Sequence, residues 1–519
     1  MKIEENLVNN DEIDLIFSPS HIIIGSNKEN KIHSETNLKK YCLIIFIIFL
    51  FGFSIYIENK GYNITYFIKN IKKNIGIEDK IDDLCEKYDP INLFELRLNN
   101  PITVCDNRIS NQSHLCYLNT FNDYFYYKNG VFCTMKNIII NTSKATQTNI
   151  IYNGSLNNRN NGFPILDKGF FNMYCDIKNM NKEYSNLYSM YFKSWNYDFI
   201  ENEGLSELAP GKTIFFMSRN QDSPNLFHGH SELINALALM ELFHLKPENI
   251  KIIFLDGIII KDDPIYDLYK NIISRGGEPI YIRDLKHSYF ISSAINVPTY
   301  RDSSVFLKQE FPNCENYQGR TYKLLNDIIN KYMNIPKYKD SFISDNEIYY
   351  YPKSIIDYYN SKIEFKKYIT IQWRRIWPKG RIGQSRLLGN GPELAEKLAN
   401  SLPKYFLVRL VDTARLSIKE QISLMRNTDY LVGIHGAGLT LSIYMPIKSI
   451  LHEVLPKKNM GVLTLMSSLS GHRTYSDILR SKILNIDGSE YVFFNKDHFV
   501  RKVLLHMREN GFFWGLKSV

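Results

Sequence analysis

The sequence predicts an α/β fold made of two doubly wound domains, each with a mainly parallel sheet covered by helices on both faces. Apolar runs of strand length alternate with helical patterns between residues 213 and 333, and a second such series runs from 368 to 455. The chain has 519 residues, more than the roughly 250 to 300 residues that one hydrophobic core usually reaches. No internal repeat is visible, which disfavours a solenoid.

The first series begins with a strand rich in β-formers, TIFFM, and continues through alternating helices and strands. The pattern predicts strands at Thr213–Met217, Lys251–Leu255 and Pro279–Ile282 and helices at Ser231–Phe243, Ile265–Ser274 and Thr321–Met333. The segment 336–367 has no clean period and is predicted to connect the two domains.

In the second series, the residues at helix starts agree with the apolar pattern. It predicts strands at Tyr368–Trp373, Tyr405–Leu410, Tyr430–Ile434 and Ser449–Leu455 and helices at Pro392–Ser401, Ile418–Arg426 and Leu439–Tyr444. Gly391 and Pro392 stand where an N-cap and a first helical residue are favoured. Ser417 and Glu420 have the spacing of a capping box.

The uncharged stretch Tyr41–Ile57 predicts one membrane-spanning helix, flanked by Lys39 and Lys40 on one side and Glu58 on the other. As a helix it would reach about 25 Å, enough for the thinner membranes of the early secretory pathway. A cleaved signal peptide and a buried core helix are the alternatives. The late start of the apolar run, its length and the absence of a small-residue cleavage site disfavour a signal peptide.

Cysteines and glycosylation acceptors indicate that the large part beyond the predicted span is luminal. An even set of six cysteines follows the span, as expected where disulfides form: Cys85, Cys105, Cys116, Cys133, Cys175 and Cys314. Every N-x-S/T acceptor also follows it: Asn63, Asn111, Asn141 and Asn153. We therefore expect a single-pass type II protein of the Golgi or endoplasmic reticulum membrane.

The predicted organisation is a cytosolic tail (1–40), a transmembrane signal anchor (41–57), a stem and irregular luminal region (58–164), an N-terminal Rossmann-like domain (165–367) and a C-terminal Rossmann-like domain with a terminal helix (368–519). The net charge of +9 comes from 63 basic and 54 acidic residues, which are dispersed along the chain. Without a block of like charges, the sequence gives no reason to expect nucleic-acid binding.

A small-residue turn between the predicted strand Tyr430–Ile434 and the following helix is the strongest candidate for a ligand site. Ligands of open α/β sheets bind at such carboxyl ends of strands, and glycines let a backbone come close to them. The alternative is that the glycines only permit a tight turn. The candidate binding residues of this segment are Gly433, His435, Gly436, Ala437, Gly438 and Thr440.

Three segments resemble glycosyltransferase family 61. The first is RNTDYLVGIHGAGLT (426–440) with MP (445–446) and HEVLP (452–456), the second is NLFHGHSELIN (225–235), and the third is ITIQWRR (369–375) with SRLLGNGPEL (385–394). The resemblance covers roughly residues 205 to 460. Two features depart from the family pattern, because Glu232 stands where an Asp is expected and WPKGRIG is inserted after the arginines.

The resemblance implies a GT-B-like pair of domains, a nucleotide sugar bound by the C-terminal one, and an inverting reaction without a metal or other cofactor. The chain contains no Asp-x-Asp motif, so arginines and a helix N-terminus would stabilise the leaving diphosphate. Arg374 and Arg386 are the candidates for that role, Asn225 would contact substrate, and Glu453 would contact the ribose. A solvent-facing or ion-paired side chain is the alternative for each arginine, and an exposed residue at the strand end is the alternative for Glu453.

Inverting transfer needs a general base that takes the proton of the acceptor hydroxyl. Glu232 and His228, four residues apart, are the candidates for this base. Glu232 is preferred by its position in the family pattern, with His228 orienting it or binding acceptor. A carboxylate placed only to favour the helix dipole is the alternative. The implied donor is UDP-linked, UDP-GlcNAc or UDP-xylose, and the acceptor is a protein or glycan. A catalytically inactive luminal binding protein and a metal-dependent GT-A enzyme are the competing functions.

Overall fold

The structure is a computed structural model, and its described residues lie in one compact unit that spans Leu84–Val519. It describes residues 85–86, 88–98, 101–107, 112–117, 132–146, 150–151, 165–174, 194–197, 204–218, 225–256, 258–259, 264–298, 314, 317–340, 342, 348–361, 364–376, 385–456 and 463–513. The predicted tail, the predicted span at 41–57 and the stem before residue 85 lie outside them. Within the described ranges, no helix has the length and hydropathy needed to cross a membrane.

Strands and short helices alternate along most of this unit. The strands are β1 (Pro101–Asn107), β2 (Gln112–Tyr117), β3 (Phe132–Ile140), β4 (Ala145–Thr146), β5 (Ile150–Ile151), β6 (Ile165–Leu166), β7 (Phe171–Asn172), β8 (Trp195–Asn196), β9 (Thr213–Met217), β10 (Ile250–Phe254), β11 (Ile258–Ile259), β12 (Ile280–Tyr281), β13 (Tyr289–Asn296), β14 (Tyr349–Tyr350), β15 (Lys367–Gln372), β16 (Leu387–Leu388), β17 (Phe406–Val411), β18 (Tyr430–Ile434), β19 (Ile450–Leu455), β20 (Arg473–Ile478), β21 (Ser481–Ile486) and β22 (Ser489–Phe494).

The α-helices are α1 (Pro90–Leu98), α2 (Leu226–Leu242), α3 (Pro264–Leu268), α4 (Arg320–Tyr332), α5 (Lys353–Asn360), α6 (Gly391–Asn400), α7 (Ile418–Arg426), α8 (Leu463–Leu469) and α9 (Lys496–Glu509). A π-helical turn, Tyr269–Ile273, continues α3. The 3-10 helices are Thr142–Lys144, Pro247–Asn249, Ile282–Asp284, Thr413–Arg415 and Ala437–Tyr444.

The first sheet has the order β1-β2-β3-β13-β9-β10-β12, and β7 pairs with β3 at its side. Strands β13, β9, β10 and β12 are parallel, as the sequence predicts for this part, whereas β1, β2, β3 and β13 pair antiparallel. The sheet is therefore mixed, and β1–β3 come from the segment predicted to be irregular. This first sheet contains strands from both sides of the domain boundary predicted at residue 164. The predicted division of the chain into domains stays a prediction.

The second sheet has the order β14-β17-β15-β18-β19-β20, and every pairing in it is parallel except that of the edge strand β14. The parallel part of the sheet starts in the middle at β15, crosses over β16 to β17 on one side, and returns to β18 on the other. The direction of winding thus reverses between β15 and β18. A crevice forms at the carboxyl ends of the strands at such a switch point, and it is the usual ligand site of this topology.

The predicted elements of both series are present, with differences at several ends. Thr213–Met217, Ile418–Arg426 and Tyr430–Ile434 have the predicted bounds, and the capping box of Ser417 and Glu420 is formed. The prediction that Gly391 caps a helix is wrong, because Asn390 is the N-cap and Gly391 is the first helical residue. The α-helix predicted at Leu439–Tyr444 is a 3-10 helix that begins at Ala437.

Disulfides form among the predicted cysteines, and they connect segments that are apart in the sequence. Cys85 is joined to Cys314, and Cys116 on β2 is joined to Cys133 on β3. Cys105 is disulfide-bonded as well. The bond between Cys85 and Cys314 closes a loop of more than 200 residues, which lowers the entropy of the unfolded chain and so stabilises the packing of α1 near α4.

Candidate active site

Two predicted residues meet at the switch point of the second sheet. Arg374 follows β15 and His435 follows β18, and Arg374 Nη1 donates a hydrogen bond of 3.0 Å to the carbonyl oxygen of His435. The two strands are neighbours in the sheet, so their carboxyl ends deliver both residues to one edge. A guanidinium group is thereby fixed at the place where this topology binds ligands.

His435 is held from behind by Glu453, which is fully buried on β19. The His435 Nδ1 and the Glu453 Oε1 lie 2.5 Å apart, and Glu453 Oε2 accepts a hydrogen bond of 3.1 Å from Ser476 Oγ on β20. The sequence predicts that Glu453 contacts ribose or is exposed. The exposed alternative is wrong, because the carboxylate is buried. Its hydrogen bonds orient the imidazole, and Ser476 is a member of the site that the sequence did not reveal.

Arg386 is the second predicted arginine, and it lies half-buried just before β16. Its charge interacts with Glu453 and Glu490, while burial lowers the pKa of the guanidinium despite these carboxylates. The buried Nη1 has no hydrogen-bond partner among the described residues. The backbone of Leu388, two residues later, donates to the Arg374 carbonyl. Arg386 therefore belongs to the same edge as Arg374 and His435 and keeps unused donor capacity.

The backbone of Arg386 is itself unusual. Its φ is 64°, in the left-handed region that a residue with a β-carbon adopts at a cost of about 1 kcal/mol or more. Glycine would relieve this cost. An arginine at this position indicates that the side chain has a task that outweighs the local strain.

Close packing of side chains explains two glycines of the turn. A β-carbon on Gly436 would come within 1.7 Å of Arg374 Nη1, and one on Gly438 within 2.0 Å of Gln372 Nε2. Gln372, the last residue of β15, also donates to Thr413 Oγ1. The sequence predicts that these glycines let a ligand approach the backbone. In the structure they give space to two side chains that the neighbouring strand β15 brings to the site.

We expect Gly436→Ala to weaken the binding of a nucleoside diphosphate about tenfold or more while the fold is retained. The φ of Gly436 is 171°, extended backbone that alanine adopts freely, so the new methyl group displaces the Arg374 guanidinium rather than the chain. The lost charged hydrogen bonds account for the effect. Calorimetric titration with UDP measures it.

The matched control is a double-mutant cycle with Arg374→Ala. If the methyl group acts through Arg374, the double variant binds UDP as weakly as Arg374→Ala alone. Additive losses in the two variants would mean that Gly436 contributes separately, and this explanation of the glycine would be wrong.

The remaining residues of the turn differ in how far they reach the surface. Ala437 and Gly438 are half-buried and begin the 3-10 helix, whereas Thr440 is buried within it. The Thr440 Oγ1 has no hydrogen-bond partner among the residues that the structure describes. Ligand binding by these three residues stays a prediction.

The predicted acceptor-side residues lie on α2, at the carboxyl end of the parallel strand β9. Asn225 is the N-cap of α2, where its side chain accepts a hydrogen bond from the backbone of Phe227. His228 is half-buried in the first turn. Glu232, one turn further, is only 3% exposed, and its Oε2 accepts a hydrogen bond of 3.2 Å from Tyr269 Oη. His228 is thus the more accessible of the two candidate bases.

His230, for which the sequence predicts no role, joins α2 to the 3-10 helix that follows β18. His230 is fully buried; its Nδ1 lies 2.7 Å from the Leu226 carbonyl oxygen, and its Nε2 lies 2.8 Å from Tyr444 Oη at the end of the 3-10 helix. The residues around His230 in the sequence do not indicate this contact, because Tyr444 lies more than 200 residues further along the chain. The contact with Tyr444 thus links α2 to the 3-10 helix that follows the turn at His435.

We expect acid to destabilise the protein partly through His230. Burial lowers the pKa of His230 from 6.5 to about 4, against the raising effect of the hydrogen bond to Leu226. As pH falls from about 6.5 to about 4, the unfolded chain binds a proton that the folded protein excludes. The free energy of unfolding then falls, by up to about 3 kcal/mol from this group.

Urea unfolding at several pH values between 7 and 4 measures this contribution in the protein and in His230→Gln. The variant is expected to lose less stability over that range. Equal slopes in the two proteins would show that His230 does not carry the effect.

A comparison with known families gives one match. The model of the family described as Glycosyltransferase 61 matches residues 281–451, a segment that contains Arg374, Arg386 and the turn from His435 to Thr440. Asn225, His228 and Glu232 precede the matched segment, and Glu453 follows it. No curated protein matches the chain. Within residues 281–451, the resemblance predicted from the sequence is confirmed, because this segment matches the model of glycosyltransferase family 61.

Proposed function

We propose that this protein transfers a sugar from a nucleotide sugar, UDP-linked GlcNAc or xylose, to a protein or glycan acceptor, with inversion and without a metal at the reaction centre. Membership of a glycosyltransferase family supports a transferase in general. The donor, the acceptor and the mechanism are proposed from the chemistry of the residues at the carboxyl ends of the strands in the two sheets.

The observation that carries the proposal is the meeting of Arg374 and His435 at the switch point, with Arg386 beside them. A departing diphosphate develops negative charge, and preorganised donors stabilise it without reorganisation during the reaction. Two guanidinium groups present planar sets of donors that match phosphate oxygens. In this arrangement the arginines perform the task that a divalent cation performs in enzymes with an Asp-x-Asp motif.

His435 adds a positioned imidazole to the same group. Glu453 binds its Nδ1 side, so the ring is held in one orientation and its Nε2 can act toward a ligand. We assign Glu453 the role of a positioning residue for His435, in place of the ribose contact that the family resemblance implies. The half-buried backbone of Ala437 and Gly438 continues this surface.

The proposed acceptor side is the first part of α2. His228 and Glu232 are one helical turn apart and so lie on neighbouring parts of one face. We propose that Glu232 is the general base and that Tyr269 holds its carboxylate. His228 is more exposed than Glu232, which supports a role for His228 in binding the acceptor.

We further propose that the protein has a GT-B arrangement and works in the lumen of the Golgi or endoplasmic reticulum as a type II membrane protein. The disulfides among the described cysteines support an oxidising compartment. A localisation experiment with protease protection of intact microsomes tests the orientation.

A thermal-shift series tests the function directly. We expect UDP and UDP-sugars to raise the midpoint of unfolding of the purified protein, and GDP, CMP and their sugars to have less effect, because ligands stabilise the folded state by mass action. Release of UDP with an acceptor present then measures turnover. A protein that neither binds nor consumes any nucleotide sugar would contradict the proposal.

One observation favours a second candidate, a binding protein without catalysis. Glu232 replaces the expected Asp and is buried against Tyr269, which could keep its carboxylate from the acceptor. That candidate predicts UDP binding without turnover, and no effect of Glu232→Gln on the binding.

A further inference from the structure

On the face of the second sheet opposite Glu453, three side chains bring metal-ligand atoms together. The side chain of His452 on β19 points to the opposite face of the sheet from that of its neighbour Glu453, because successive side chains of a strand alternate between the two faces. His452 Nε2 and His506 Nε2, from α9, each lie 3.1 Å from Asp477 Oδ2 on β20. The three atoms form a compact group of two imidazole nitrogens and one carboxylate oxygen.

The distances within this group are compatible with a shared ion. His452 Nε2 and Asp477 Oδ2 are both buried and have no hydrogen-bond partner among the described residues, although they lie 3.1 Å apart. At that separation only poor alignment prevents a hydrogen bond. Ligands of a tetrahedral zinc ion at about 2.0 to 2.2 Å are roughly 3.3 Å from one another, and the two distances of 3.1 Å to Asp477 Oδ2 are close to that spacing.

The surrounding residues prepare both histidines for metal binding. Tyr430 Oη lies 3.0 Å from His452 Nδ1 and 3.3 Å from His506 Nδ1. A phenol oxygen with two lone pairs can accept from both Nδ1–H groups, and this tautomer directs both Nε2 lone pairs at Asp477. Metal-bound histidines commonly have such an acceptor behind the ring. Tyr475 stacks on the His506 ring at 3.8 Å and limits its rotation.

The two oxygens of the Asp477 carboxylate have different surroundings. Lys502 Nζ donates to Asp477 Oδ1 at 2.9 Å and leaves Oδ2 for the ion. The side chains of Asp477 and Lys502 are 16% and 33% exposed, which gives an ion a path from solvent. In the tautomer with both Nδ1–H groups directed at Tyr430, a cation between the two Nε2 lone pairs and the buried carboxylate oxygen removes their mutual repulsion.

We propose that His452, Asp477 and His506 bind one zinc-type transition-metal ion that stabilises the C-terminal part of the second sheet. Two imidazoles and one carboxylate suit Zn²⁺ or Co²⁺, whereas Mg²⁺ and Ca²⁺ prefer sets of oxygen ligands. The site joins β19, β20 and α9 and is separate from the arginines on the opposite face. It is a stabilising site, and the reaction proposed above does not use it.

Metal analysis of the full-length protein, purified without chelators, tests this inference. We expect stoichiometric zinc in the protein and its loss in Asp477→Asn and His506→Gln. His498→Gln is the matched control on the same helix α9, and it should keep its zinc. Removing the metal with a chelator should lower the thermal midpoint by several degrees, and Zn²⁺, but not Mg²⁺, should restore it.

Tyr430→Phe keeps all three ligands and the volume of the ring, so it serves if the ligand variants do not fold. We expect it to weaken Co²⁺ binding by about 10- to 100-fold, since it removes the acceptor behind both imidazoles. Co²⁺ absorption that is absent, or that is the same in the protein, Asp477→Asn and Tyr430→Phe, would overturn the proposal. UDP binding in the same samples distinguishes this failure from a failure of the proposed function.

Discussion

Arg386→Ala is expected to raise the dissociation constant for UDP by about 10- to 100-fold, while binding of uridine without phosphate changes little. A charged hydrogen bond contributes about 1.5 to 3 kcal/mol, and tenfold in affinity corresponds to about 1.4 kcal/mol. The half-buried guanidinium has a donor without a partner among the described residues, so a diphosphate gains hydrogen bonds there that cost the protein none. Calorimetric titration measures both ligands.

One further variant distinguishes the effect of the Arg386 side chain from that of its strained backbone, and a variant of another arginine is the control. Arg386→Gly should bind UDP as poorly as Arg386→Ala but unfold at a higher urea concentration, because glycine adopts a φ of 64° without strain. Arg320→Ala removes an exposed arginine that pairs with Glu95 on α1, and it should leave UDP binding unchanged. Equal affinity in the protein and Arg386→Ala would remove Arg386 from the site.

Glu232→Gln should lower kcat by about 100- to 10,000-fold, the range that a positioned general base contributes. The amide has nearly the shape of the carboxylate and can still accept from Tyr269, so the fold and the affinity for UDP should be retained. Steady-state release of UDP in the presence of acceptor, with UDP binding measured in parallel, tests the assignment.

Tyr269→Phe and His228→Gln define how the base is supported. Tyr269→Phe removes one hydrogen bond to the carboxylate and should lower kcat much less than Glu232→Gln does. His228→Gln should mainly raise the KM for acceptor if His228 binds it. A large loss of kcat in His228→Gln with none in Glu232→Gln would assign the base to His228 instead.

The proposed acceptor side on α2 and the proposed donor side near His435 are connected by a hydrogen bond. His230 joins α2 to Tyr444, and Tyr444 ends the 3-10 helix that begins beside His435. This hydrogen bond is one of the contacts that connect α2, which carries Glu232, to the 3-10 helix beside the proposed diphosphate site. A change at His230 is expected to affect turnover as well as stability.

Most strands of the second sheet could be predicted because they are buried on both faces. Tyr430–Ile434 is a continuous apolar run, and the capping box at Ser417 is a local signal. Strand β20, RTYSDI, is partly exposed and has no apolar run, so its place in the sheet depends on pairing with β19. The two-residue strands, such as β16, likewise exist only through their partners.

The sequence alone determined the alternation of strands and helices, the glycine-rich turn after β18 and the residue types available for chemistry. These features are local, because apolar periodicity, caps and turn residues act within a few positions of the chain. The tertiary structure decided which of those residues meet. Arg374 reaches His435, Glu453 turns to His435, and His452 faces Asp477 and His506 because strand order and the direction of each side chain bring distant residues together.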